Sequence, residues 1–150
     1  MYHFIIKQQI RTVFKLLSEQ NVEPLLKDFS PQLEHIFPGN HSLGGKRHTL
    51  EGMRRWFKRL FFLFPELHFN VKEIVVRGWP WDTLIAVEWM DEGKTLSGEP
   101  YSNYGTHFMR LKWGRLVSLH AYLDTQVLEE ALSRMARQGI ENASAAPIED

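Results

Sequence analysis

From residue 3 to residue 20, Phe4, Ile6, Ile10, Val13, Phe14 and Leu17 recur at helical spacing, with Lys7, Arg11 and Lys15 elsewhere; the pattern predicts an amphipathic helix. Asn21 breaks it, and VEPLLKDFS predicts a short second helix with Pro24 in its first turn. LEHIF, residues 33 to 37, alternates like a short strand that ends at Pro38-Gly39, and NHSLGGKRH reads as loop. Thr49 is placed to cap a helix over residues 50 to 63, whose Leu50, Met53, Trp56, Phe57, Leu60 and Phe61 form one apolar face. Arg54, Arg55, Lys58 and Arg59 lie opposite and read as a solvated face; Pro65 ends the helix.

Beyond Pro65 the period changes to two. LHFNVKEIVVRG, WDTLIAVEWMD, TLSGEPYSNYGTHFMRLK and RLVSLHAYLD predict four long strands joined by turn-like segments, an antiparallel meander. TQVLEEALSRMARQG then predicts a last helix, and IENASAAPIED, small and polar, a loose tail. The order predicts one α+β domain over residues 1–138 with a flexible tail over 139–150. Its curved, mainly antiparallel mixed sheet forms a cone, with helices on the concave face and a cavity between. Stretches such as LIAVEW and THFMRL are apolar on both strand faces, which predicts a homodimer through the sheet face turned away from the helices.

Composition narrows the function classes. The 150 residues suit one domain with a sizeable core, and 10 Phe, 5 Trp and 4 Tyr predict aromatic walls to core or cavity. Eighteen basic residues balance 18 acidic ones, which argues against a nucleic-acid surface driven by counterion release. There is no cysteine, no signal-peptide pattern and no apolar run of membrane-spanning length, so the chain reads as cytoplasmic with no membrane partner. Seven histidines form no HxH or HExxH pair, and no glycine-rich phosphate loop follows a strand; neither a metal nor a cofactor is expected.

Candidate chemistry comes from one row. His120, Tyr122 and Asp124 fall on every second residue of the last strand and so point the same way. The preceding strands offer Tyr101, Asn103 and His107 on one face, and Val87, Trp89 and Asp91 on another. If these faces look into the cone, they give it aromatic walls and a few polar groups, the usual make-up of a small-molecule site. Desolvation there would raise a carboxylate's pKa towards the range of a general acid or base. Alternatively, Asp124 is simply the N-cap of the last helix, accepting from the N–H of Gln126 or Val127. Tyr122 also reads as a core tyrosine, His120 and His107 as core or interface histidines, and Trp56 as core or cavity wall.

HIFPGN, LGGKRHTLEGMRRWF, AVEW, SGEPYSNYG and GRLVSLHAYLDT, in this order and spacing, resemble the SnoaL-like branch of the nuclear-transport-factor-2-like superfamily over roughly residues 5 to 130. Ketosteroid isomerases, limonene epoxide hydrolases and polyketide cyclases share its cone-shaped fold. The resemblance implies that Asp124 is a catalytic acid or base; Tyr122, His120, Asn103 and His107 would then orient the substrate. It implies a second aspartate at Asp91, while Trp89 replaces the epoxide hydrolases' arginine, and Glu34 and Ile36 replace their water-holding tyrosine and asparagine. Phe37, before Pro38, and Phe14, on the first helix, fall where ketosteroid isomerases carry their base and oxyanion tyrosine; both then become pocket walls. The implied function is cofactor-independent acid/base catalysis of isomerase, cyclase or hydrolase type on a small hydrophobic ring-containing molecule. Without turnover, the same cavity implies a domain for hydrophobic-ligand binding or dimerisation.

Overall fold

The computed structural model describes all residues, 1–150. Its elements run α1 (Tyr2–Ser18), α2 (Val22–Leu26), β1 (Phe29–Phe37), β2 (Gly45–Arg47), α3 (Leu50–Leu63), β3 (His68–Trp79), β4 (Asp82–Lys94), β5 (Pro100–Lys112), β6 (Arg115–Leu123) and α4 (Thr125–Arg137), with a 3-10 turn at Glu141–Ala143. The six strands form one sheet in the order β2-β1-β6-β5-β4-β3. All neighbours are antiparallel except β1 and β6, which run parallel. No helix is long and apolar enough to cross a membrane.

Three register slips bend the sheet: between Val71 and Glu73 in β3, opposite Arg110 and Leu111 in β6, and between Phe29 and Glu34 in β1. The first two each place one unpaired residue in a strand, the third sets four residues of β1 (30–33) against one of β6, and all increase the local twist. The concave side carries the buried alternate positions of β4 (Thr83, Ile85, Val87, Trp89, Asp91), and α1 and α3 cover it. α1 contributes the stripe Ile6, Ile10 and Phe14. α3 starts where Thr49 Oγ1 accepts from Gly52 N–H at 2.9 Å, and it buries Met53, Trp56, Phe57, Leu60 and Leu63. The convex side is uncovered and exposes Val75, Met90, Tyr104, Phe108 and Tyr122.

The structure departs from the sequence expectations at four places. β1 begins at Phe29 rather than residue 33, because the slip around Pro31-Gln32 interrupts the alternation that would reveal it. β2 lies inside the segment read as loop; three residues on a sheet edge are too few to show a period. β5 begins at Pro100, since residues 95–98 form a turn closed by Gly98 N–H to the Thr95 carbonyl at 2.9 Å. The segment expected to hang loose after residue 138 is packed instead. Ile148 is buried, Arg47 donates to its carbonyl at 2.6 Å, and Arg59 donates to the Ala146 carbonyl at 2.8 Å. Asp150 accepts from His48 N–H at 2.6 Å and from the Thr49 hydroxyl, setting a carboxylate at the positive end of α3. Ile148, the one large apolar side chain among residues 144–150, leaves no periodic trace of such a strap.

Candidate active site

A cavity of about 290 Å³ lies between the helices and the sheet, with mostly apolar walls. Phe14 from α1, Phe37 from β1 and Trp56 from α3 are among them. Trp56 is fixed by its indole N–H, which donates to the Leu43 carbonyl at 2.8 Å, and Phe37 packs against it at a tilt, 5.2 Å between ring centroids. Three buried polar side chains, Asp91, Tyr101 and His35, and the partly buried His107 interrupt the walls.

Asp91 is the unusual one. It sits on the inward face of β4 opposite Asn103, is 5% exposed, and its Oδ1 is buried without any hydrogen-bond partner. Burial pushes its carboxyl up to about 7, against the opposing pull of the Asn103 backbone N–H. Such a group is half ionised near neutral pH and able to give or take a proton. Tyr101 lies beside it. Burial, and then the Asp91 charge, hold the phenol well above its ordinary range, so it stays protonated. Asn103 ties this corner together, its Nδ2 donating to Tyr101 Oη at 3.0 Å and to the Asp124 carbonyl at 3.0 Å.

The histidines are set differently. Trp89 Nε1–H donates to His107 Nδ1 at 2.7 Å, and burial lowers His107 to about 4, so the ring is neutral. The Trp89 indole lies across Gly105, its partner on β5; a Cβ there would stand 2.9 Å from Trp89 Cζ2 and 2.5 Å from the Tyr122 carbonyl. Only glycine leaves room for that crossing. Phe14 closes the other side of His107, edge to face at 5.7 Å. On β1, His35 Nδ1 accepts from Arg47 Nε at 2.9 Å, and burial, with the Arg47 charge second, holds His35 well below its ordinary range.

The row His120, Tyr122, Asp124 does not join this group. His107 on β5 pairs with Ala121, and Met109 with Leu119, so the face of β6 that looks into the cavity is Leu119, Ala121 and Leu123. The alternation is as read, but its polar side faces out. The buried, apolar cavity takes the leucines, and the polar row keeps its hydration. Tyr122 is 58% exposed on the convex surface. His120 pairs with Glu34 there, Nε2 to Oε1 at 2.9 Å. Asp124 is the N-cap of α4, its Oδ1 accepting from Gln126 N–H at 3.1 Å and Val127 N–H at 3.3 Å. Asp124→Ala is therefore expected to cost ~1 kcal/mol in urea unfolding, and Asp124→Asn a few tenths at most. A cost for Ala no larger than for Asn would contradict the capping role.

Of the residues singled out in the sequence, the structure brings Asp91, Tyr101, Asn103, His107, Trp89, Trp56, Phe37 and Phe14 together and leaves Asp124, Tyr122 and His120 outside. His35 and Arg47 were missed. His35 shares the strand face of Leu33 and Phe37 in LEHIF, a signal that was available. Arg47, fully buried in a stretch that reads as polar loop, gave none.

The SnoaL-like domain family matches residues 10–119. No curated protein matches the chain. Among solved structures, an NTF2-like protein of unknown function from Burkholderia pseudomallei superposes with a TM-score of 0.74 at 17% identity, covering 83% of this chain and 95% of the other. TerC, co-crystallised with polyporic acid, gives 0.71 at 17% identity over 83% and 95% of the two chains. A protein assigned as a SnoaL-like polyketide cyclase, from Jannaschia sp. CCS1, gives 0.65 at 19% identity over 83% and 91%. At such identities the likeness speaks for the fold, the same curved mixed sheet under helices. With the family match spanning most of its length, the chain belongs to the SnoaL-like domain family.

Proposed function

We propose that the protein is a cofactor-independent acid/base catalyst of isomerase, cyclase or hydrolase type, acting on a small hydrophobic ring-containing molecule held in the cavity. Asp91 is the proton carrier in this reading, not Asp124. The observation that carries it is a lone carboxyl oxygen, buried and unpartnered, in an otherwise aromatic cavity. A structural carboxylate would be paired; an unpaired one costs stability, and such groups concentrate at functional sites. Tyr101 and Asn103 form the polar corner next to it. TerC, which shares the fold, was crystallised with polyporic acid, so ligand holding by this fold has a precedent.

A probe reaction tests this without the natural substrate. Incubated in D₂O with 1-tetralone, the protein is expected to speed deuterium entry at the carbon next to the carbonyl, and Asp91→Asn to remove that acceleration. Binding of 1-tetralone with no acceleration by the native chain would favour the alternative, a cavity that binds hydrophobic ligands without turnover.

The convex face supports a second element of the proposal. Val75, Met90, Tyr104, Phe108 and Tyr122 leave a broad apolar area on one side of the sheet, and pairing of two copies would cover it. Sedimentation at micromolar concentration is expected to give a dimer, and Phe108→Glu a monomer. A monomeric native chain would remove this element and leave the cavity reading untouched.

A further inference from the structure

Two imidazoles line the cavity, and each is held through Nδ1 alone. His107 Nδ1 accepts from the Trp89 indole at 2.7 Å, and His35 Nδ1 accepts from Arg47 Nε at 2.9 Å. Indole and guanidinium only donate, so neither hydrogen bond can reverse. An Nδ1 that accepts leaves the proton of a neutral ring on Nε2, which makes each ring a hydrogen-bond donor at its remaining nitrogen. Burial keeps both rings neutral. The two are neighbours across β6. His35 is opposite Leu119, Leu119 is opposite Met109, and Met109 is two residues from His107 on the same strand face. That register separates the two Cα atoms by ~12 Å, so the rings serve one cavity.

Nothing in the reading of Asp91 requires two such donors. A wall of hydrocarbon with two donors and no fixed acceptor for them is complementary to a ligand that brings its own oxygens. We propose that His35 and His107 recognise a ring molecule bearing carbonyl, enol or phenolate oxygen, each donating from Nε2–H to that oxygen. Trp89 and Arg47 are then positioning residues, acting through the tautomer they impose. The inference rests on the cavity being a small-molecule site, and it names the class of molecule. A cavity of about 290 Å³ suits a bicyclic ligand or one little larger.

Two measurements test it. On the unaltered protein, nitrogen-15 NMR of the imidazoles near neutral pH is expected to show both rings neutral with the proton on Nε2; an Nδ1–H tautomer or an imidazolium at either position would overturn the proposal. Binding is then compared between 1-tetralone and tetralin, which differ by the carbonyl oxygen. The tetralone-to-tetralin affinity ratio is expected to fall about tenfold in His107→Phe, the size of one lost hydrogen bond. An unchanged ratio would overturn the proposal. If His107→Phe does not fold, the tautomer measurement still decides. Asp91→Asn is expected to abolish deuterium exchange whatever it does to the ratio, so failure of this inference, read from the tautomers and His107→Phe, and failure of the acid/base reading, read from exchange, are separately visible.

Discussion

Asp91→Asn is expected to be inert in the exchange reaction and yet more stable than the native chain at about pH 8, by up to ~4 kcal/mol. Below about pH 4 the carboxyl is protonated in folded and unfolded chains alike and makes no difference between them. Between there and about pH 7 the unfolded chain releases the proton while the folded chain holds it, so native stability falls as pH rises. Above about pH 7 the deficit is constant, and it corresponds to the rise from 3.8 to about 7. An amide has no such titration. His107 and His35 act in the opposite sense. Both are lowered, so the stability they contribute is present above their ordinary range and is lost as pH falls, for His107 through about 4. They are common to both chains and cancel in the difference. Urea unfolding of the two proteins across this range checks the prediction; a difference that does not grow from about pH 4 to about pH 7 would contradict it. Loss of activity together with gained stability is the mark of a group kept for function rather than for the fold.

The other large effect lies at Arg47. Its guanidinium is fully buried and donates to His35 Nδ1 at 2.9 Å, to the Gly44 and Gly45 carbonyls at 3.0 Å each, and to the Ile148 carbonyl at 2.6 Å. It also lies 5.4 Å from the Trp56 ring centroid. Burial lowers it to about 10, with Glu149 and Asp150 opposing, so it remains a cation at neutral pH. Arg47→Ala removes the packing, leaves four acceptors unmatched and releases the strap of residues 144–150 from the start of α3. A loss of about 4 kcal/mol in urea unfolding is expected. Arg47→Lys should recover little of it, since one ammonium cannot reach acceptors spread around a planar fork. A loss below about 1 kcal/mol for Arg47→Ala would show that the strap is held elsewhere.

Where one physical signal dominated, the sequence was readable. The apolar face at helical spacing, the Thr49 cap and the stop at Pro65 place α3 at the residues where it is found. The period of two gave the four long strands and, on β4 and β5, two strand faces, Trp89 with Asp91 and Tyr101 with Asn103 and His107, which the strand pairing joins on one surface. On β6 the same period was legible but its direction was not. Polar residues in a row attract a functional reading, whereas an apolar cavity draws in the opposite row, Leu119 and Leu123. The pairing of His107 with Ala121 decides between them, and pairing is a long-range fact that no local pattern carries. The same holds for Arg47 and the strap, whose partners lie about a hundred residues apart in the chain. The resemblance pointed to Asp124 and to a second aspartate at Asp91; of the two, only Asp91 lines the cavity, and which one does so depends on the strand face.

The proposed chemistry depends on a protonatable carboxyl at Asp91 inside a ligand cavity. Its most direct test is a carbon-13 NMR titration of that carboxyl, with and without 1-tetralone. A midpoint near 7 is expected in the free protein, and a displaced midpoint when 1-tetralone occupies the cavity. A midpoint in the ordinary aspartate range, about 4, and unmoved by the ligand, would contradict it.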